Sequence, residues 1–374
     1  MRSPALASSR RSGIPRAAMA LLLLACVLLA PAVAEAHQQG RSYCTVRTAA
    51  GGLDVSVETA AEHLVPVIAL SSRTPSDAEL REAEPRLMQA LEDRVTAWTP
   101  NGPCRFEPEH IELQSRESAR TVVAHVRFHC PPGPVTLRNT FRMDVEPSSE
   151  VVCAIDSRAW VFRLGLEERD VGTPPRIGEV ISSFLGLGAV HVFGGPDHVL
   201  FVLALLIAAA RTGATESGWR VLRHTALVAT GFTLGHSLTL GLAALDIVRV
   251  DSRLTESAIA LSVIVVAVEN ALVARPRYRL ATATVFGLVH GFGFATVLAD
   301  TELPRRGQLW ALLGFNLGIE LAQLALVLVL LPLLLLLARR TSYERYVTRP
   351  TSVLIALVGS AWLIDRVFAL ELGI

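Results

Sequence analysis

Four histidines and three carboxylates fall within or at the edge of stretches that are otherwise almost free of polar side chains: His191, Asp197, His198, His236, Glu269, His290 and Glu320. A charge at mid-membrane costs roughly 2.5–3.5 kcal/mol on insertion scales, so one retained there points to a task. Imidazole nitrogen with carboxylate oxygen is a ligand set for divalent nickel, cobalt, zinc, copper or iron, and the lack of a nearby thiol disfavours monovalent copper. Further polar residues accompany them. Asn270 adjoins Glu269, and Asn316 and Gln323 share a helical face with Glu320. Thr230, Thr233 and Ser237 form a stripe beside His236, and Ser262 lies one heptad before Glu269. Gly287 and Gly291 flank His290 at a spacing that lets another helix approach. The same residues also fit interhelical hydrogen-bond links or a proton relay. Asp365 and Arg366 are adjacent and can pair with each other.

The elements that must position these residues follow from hydropathy. Of 374 residues, 51% are hydrophobic and 18% charged, and the apolar excess lies beyond Ile177. This excludes a single soluble domain, a disordered chain and a coiled coil. Six apolar spans are expected at about 196–210, 224–245, 257–274, 280–299, 308–338 and 351–370. A further piece, 178–193, ends at Gly194-Gly195-Pro196 and is read as an interfacial or re-entrant helix. The gaps 211–223, 275–279 and 339–350 are Arg-rich, whereas 246–256 and 300–306 are near neutral. By the positive-inside rule the three basic gaps are cytoplasmic, and the C-terminus lies outside.

The first 36 residues read as a signal peptide. Arg2, Arg10, Arg11 and Arg16 precede an apolar run from Ala17 to Ala30, and Ala34-Glu35-Ala36 is a cleavage site that leaves His37 as the mature start. Residues 37–172 then read as a β-rich exported domain with one helix. Leu53, Val55 and Val57 alternate with polar residues, as do Val122 to Cys130, Leu137 to Val145 with Arg138 and Arg142 outside, and Trp160 to Leu164. The helix is expected over Ser76 to Trp98, with Pro85 starting or kinking it. Cys44, Cys104, Cys130 and Cys153 all lie in this domain, and Cys26 leaves with the signal. An even number in an exported domain predicts two disulfides with three possible connectivities; a four-thiolate zinc site is the alternative. His125, Arg127 and His129 form an outward strand face, solvated or metal-capturing.

Net charge is +1, which removes the bulk electrostatic case for nucleic acid. All 35 basic residues are Arg, so Schiff-base and Walker-type lysine chemistry is excluded. There is also an internal echo: Phe232-x3-His236 recurs as Phe286-x3-His290.

His191-x5-Asp197-His198-x-Leu200-Phe201 resembles the signature of the HupE/UreJ membrane proteins. So do Phe232 to Leu240, Val268-Glu269-Asn270, Phe286 to Ala295 and Phe315 to Leu324, so that the resemblance covers about 180–370. It implies a nickel or cobalt permease of the bacterial inner membrane, associated with metalloenzyme maturation proteins, in which His191, Asp197 and His198 handle the metal. The chain is similar to the longer branch of that family, which carries an exported domain. Where the short permeases tend to place a second histidine, this chain has Phe294. Two other functions fit the same residues. One is an intramembrane zinc hydrolase with Glu269 or Glu320 as general base. The other is an assembly protein acting through its β domain.

Overall fold

The computed structural model describes residues 41–368, apart from 73–74, 116–119, 147–148, 156–157, 164, 174–175, 214–216, 246, 249, 274–277, 294–304 and 340–341. The expected signal peptide over 1–36, the mature start at His37, and Phe294 lie outside the described residues.

The β domain is built on two sheets. The larger has the order β5-β6-β2-β1-β8-β9. Its strands are β1 (Arg41–Ala49), β2 (Gly52–Ala60), β5 (Arg105–Ser115), β6 (Arg120–His129), β8 (Glu150–Ile155) and β9 (Arg158–Phe162). The smaller sheet runs β10-β7-β3-β4. It comprises β3 (Val95–Thr99), β4 (Gly102–Pro103), β7 (Thr136–Asn139) and β10 (Glu168–Asp170). Strict alternation in β2 sends Leu53, Val55 and Val57 into the core, beside Val46, Val126 and Phe128. The cysteines form two disulfides, Cys44–Cys153 and Cys104–Cys130. The first links residues that are direct partners in the parallel β1–β8 pair. The bridged residues are 109 and 26 positions apart. Loop closure at such separations stabilises by roughly 3–5 kcal/mol per bridge.

The single helix expected over Ser76 to Trp98 is divided. Helix α1 (Ala61–Ile68) precedes it, and α2 (Asp77–Glu82) and α3 (Glu84–Arg94) meet at Ala83. Ser76 caps α2 through a reciprocal capping box with Glu79. Pro85 stands in the first turn of α3, where its missing N–H costs nothing. Beyond Arg94 the chain switches to strand, so Val95 and Trp98 belong to β3. The strand expected from Leu137 to Val145 stops at Asn139. The chain then turns through Arg142, at φ 68°, and buries the Arg142 side chain instead of exposing it.

The remainder is a helical bundle: α4 (Ile177–Gly194), α5 (Pro196–Gly213), α6 (Gly218–Ala244), α7 (Ser252–Leu272), α8 (Arg279–Phe292), α9 (Arg305–Ala338) and α10 (Arg349–Phe368), the last preceded by a π-helical turn, Glu344–Thr348. Six helical segments are long and apolar enough to cross a membrane: Ile177–Gly194, Pro196–Gly213, Gly218–Ala244, Ser252–Leu272, Gln308–Ala338 and Glu344–Phe368. The described part of α8 spans 14 residues, and 294–304 beyond it are outside the described residues.

Helices α4 and α5 run end to end beside α9, in the same direction. Ile181, Leu185 and Gly188 of α4 meet Gly314, Gly318 and Phe315 of α9. Val202, Leu206 and Ala210 of α5 pack with Val327, Leu331 and Leu334 farther along it. At about 1.5 Å per residue, the 34 residues of α9 span roughly 51 Å, enough to accompany both.

The two ends of the bundle differ. At one end Arg211 donates to the carbonyls of Asn270 and Val273 and pairs with Glu344, which gathers the three Arg-rich gaps together. At the other end Arg253 donates to the carbonyl of Arg366, Arg366 pairs with Glu256, and the β domain docks. There Tyr43, Val152 and Val161 pack against Val180, Phe184 and Leu312.

Within the β domain Arg94 forks onto Asp144 at 2.6–3.1 Å. This hydrogen-bonded pair holds the Asp144 carboxyl below the ordinary aspartate range. A depressed carboxyl stabilises the fold above its unfolded pKa of ~3.9, and that contribution is lost as pH falls through the lower folded value. For a half-exposed pair it amounts to at most about 1 kcal/mol. Asp144→Asn is therefore expected to lower the thermal midpoint slightly at neutral pH, with the difference from wild type vanishing in acid. A gap that widened on acidification would contradict this assignment.

Candidate metal site

The break between α4 and α5 is the centre of the site. His191 ends the apolar face of α4, and Asp197 and His198 open α5. Between them Gly195 leaves helical geometry and Pro196 begins the next helix. A Cβ on Gly195 would lie 2.9 Å from His198 Nδ1, from Asp197 Oδ1 and from the carbonyl of His191, so only glycine lets these groups close over the turn.

Two further histidines reach the same place from α6 and α8. His236 and His290 are 0% and 1% exposed, and His198 is 3% exposed. The His198 ring stands 4.7 Å from His191, 5.1 Å from His290 and 6.2 Å from His236, centre to centre. Asp197 Oδ1 is 3.1 Å from His198 Nδ1, and its Oδ2 is 4.0 Å from His290 Nδ1. Ligand-type atoms of His191, His198 and His236 lie within 4.8 Å of one another, as do those of Asp197, His198 and His290. Metal–nitrogen and metal–oxygen bonds are about 2.0–2.2 Å, so either trio can close on one ion with small side-chain rotations. His198 belongs to both.

Among the described residues His198 Nε2 and His290 Nδ1 are buried without a hydrogen-bond partner, and His236 has only Asn316 beside it. Unmet polar atoms in a dry interior are costly, and an ion that binds them removes the cost. Ser262 is the exception that orients the set: its hydroxyl lies 2.9 Å from His290 Nε2, leaving Nδ1 to face Asp197.

The helices come this close because glycines line their contacts. A Cβ on Gly287 would fall 2.1 Å from the carbonyl oxygen of Phe232, and one on Gly291 2.3 Å from that of His236. The small-residue spacing around His290 therefore serves the approach of α6. The Phe-x3-His echo also acquires a physical sense, since one helical turn separates each pair. Phe232 lies 5.1 Å from His290, and Phe201 lies 5.0 Å from Phe232 and 5.6 Å from His290. These rings wall the site, and sequence reading had assigned them no role.

The other expected residues are not members of either trio. Glu320 accepts a hydrogen bond from Thr230 at 2.6 Å, and its second oxygen is buried without a hydrogen-bond partner among the described residues. Gln323 accepts from Thr233. Asn316 lies beside His236. The Ser237 hydroxyl is spent on the carbonyl of Thr233. Glu269 and Asn270 lie near the Arg-rich end. Asn270 receives Arg279 and donates to the carbonyl of Ala204, and Glu269 is close enough to act on the Arg279 charge. Asn270 joins helices, and neither residue is part of the histidine cluster.

A bundle of membrane-length helices holding a buried His/Asp cluster at a helix break defines a polytopic membrane protein whose interior offers a set of metal-ligand side chains. Residues 167–366, more than half of the chain, match the family described as HupE / UreJ protein, and the chain belongs to that family. No curated protein matches the chain.

Gly287→Leu leaves every ligand in place but forces α6 and α8 apart, at an overpacking cost of about 1–3 kcal/mol. Equilibrium dialysis with Ni²⁺ is expected to show the intramembrane ion lost from this variant. Wild-type binding would mean that helix contact does not assemble the site.

Proposed function

We propose that the chain is a permease for a divalent transition metal of the nickel or cobalt type. The observation that carries this reading is the convergence of His191, Asp197, His198, His236 and His290, from four helices, on one buried point beside a helix break. Membership of a family regarded as nickel or cobalt permeases supports it.

In this reading α4 and α5 are two halves of one broken crossing, and α6, α7, α8, α9 and α10 supply five more. The β domain and the C-terminus then lie on the periplasmic side of the inner membrane, with the Arg-rich end in the cytoplasm, in keeping with the positive-inside rule. Discontinuous helices are where transporters commonly place their sites. The ion enters beside the α4–α5 break. The imidazoles replace its water, and Asp197 balances its charge. Glu320, with Thr230 and Gln323, takes it on between α6 and α9. Glu269 lies nearest the cytoplasmic end. The chain carries no Walker A motif, so passage is facilitated or coupled elsewhere. Metalloenzyme maturation proteins are the expected recipients inside.

Ni²⁺ uptake into proteoliposomes tests the reading. His198→Ala removes a ligand shared by both trios and Asp197→Asn removes a charge while keeping shape. Each is expected to lower uptake at limiting metal at least tenfold, since even outer-shell changes cost ~10–100-fold in affinity. Exposed His224→Ala is the unaffected control. Tightly bound zinc with no uptake would overturn the permease and favour the hydrolase.

A further inference from the structure

The larger sheet spends one face on its own core, and its other face reaches from the bundle contact out to a pair of histidines. Val161, Val152, Tyr43, Glu58, Val123 and Glu112 form one cross-strand row on that face. Ala154, Thr45, Ser56, His125 and His110 form the next. Val152, Val161 and Tyr43 are the residues docked on the bundle. The histidine half of the face is therefore turned to the same side. Strands β6 and β5 lie two and three places from β1, roughly 10–15 Å at about 4.8 Å per strand.

His110 and His125 are direct cross-strand partners, because a bulge between Pro108 and His110 shifts the register of β5. Their rings stack at 4.6 Å with planes 19° apart. His125 Nε2 is buried without a hydrogen-bond partner among the described residues, and Glu112 Oε2 waits 3.8 Å away. The nearest cation on β6, Arg127, is already neutralised by Asp54 and Glu109. On the far side His129 is taken by Glu107 at 2.5 Å. The stacked pair is left beside a carboxylate, with the Arg127 charge already spent elsewhere. His110 is exposed and can rotate to bring its nitrogen onto a shared ion.

We propose that His110 and His125, with Glu112, form a second metal site, on the bundle-facing side of the β domain, that binds a borderline divalent cation such as Ni²⁺ or Cu²⁺. Binding there needs only these three side chains. A role in collecting ions for the bundle rests on the permease reading.

Equilibrium dialysis of the full-length protein in detergent, with Ni²⁺ as the only added metal, separates the two sites. Wild type is expected to bind one more ion per chain than His110→Gln/His125→Gln, and that double variant is expected to keep the ion that His198→Ala loses. His125→Gln alone, a milder change on a solvent face, is expected to weaken the surface ion at least tenfold. Cu²⁺ added at one equivalent to His198→Ala protein is expected to show nitrogen hyperfine splitting from two imidazoles. An unchanged count in the double variant, or a copper spectrum without imidazole nitrogen, overturns the surface site. An ion lost from the double variant while His198→Ala keeps its full count supports the surface site and removes the intramembrane one.

Discussion

Everything in the membrane-length part depends on backbones touching where glycine permits it. Gly188, Gly314 and Gly318 bring α4 against α9, and Gly287 and Gly291 bring α8 against α6. Helices in lipid gain little from burying apolar side chains, because lipid is equally apolar, so close van der Waals fit must hold them. The two glycine seams hold different things. The α4–α9 seam fixes the depth at which α4 ends, and hence where the chain breaks before Pro196. The α6–α8 seam fixes the separation of His236 and His290. The histidine cluster is the point at which the two seams come together.

That cluster is expensive without a cation. Three imidazoles are nearly inaccessible, two of them face one half-buried carboxylate, and His198 Nε2 and His290 Nδ1 have no hydrogen-bond partner among the described residues. Hydrogen-bonding partners placed inside the bundle would have lowered this cost, as they do for Asn270, whose amide is satisfied on both sides by Arg279 and Ala204. The contrast between the two buried polar groups is chemical. Asn270 is built as a structural link, and the histidines are left open in the way a site for an exchangeable ion requires. The aromatic rings of Phe201 and Phe232 pack against the cluster and offer it no hydrogen-bonding group.

The histidines and the family were legible in the sequence because a polar residue in an apolar run stands out whatever the fold. The disulfides were legible as a number, but their connectivity waited on the parallel pairing of β1 with β8, which no local pattern encodes. The chain from Leu87 to Trp98 misled because its apolar residues satisfy two periods. Leu87, Leu91 and Val95 sit at helical spacing, while Val95, Ala97 and Thr99 alternate as a buried strand. Glu269 and Glu320 looked equivalent, since depth along a span says nothing about which neighbour is in reach. Arg279 extends back to the end of α7 and occupies that region. His110 was silent because its partner is set by a bulge, and a period-two reading cannot place a bulge.

The asymmetry between the two ends of the bundle bears on where an ion would be stopped. Toward the β domain the cluster is bounded by a helix break and by half-exposed His191 and Asp197. Toward the Arg-rich end Phe201 and Phe232 border a small apolar cavity with Leu205, Leu206 and Val327. At that end the helices are held by a clasp. Arg211 holds the terminal carbonyls of α7 and Glu344 together, and Tyr343 donates to the carbonyl of Ile207. A guanidinium suits this task because its planar fork bonds several oxygens at once. Opening that end means breaking several charge-assisted bonds together. In the permease reading proposed above, an ion leaving toward the Arg-rich end has that clasp to pass.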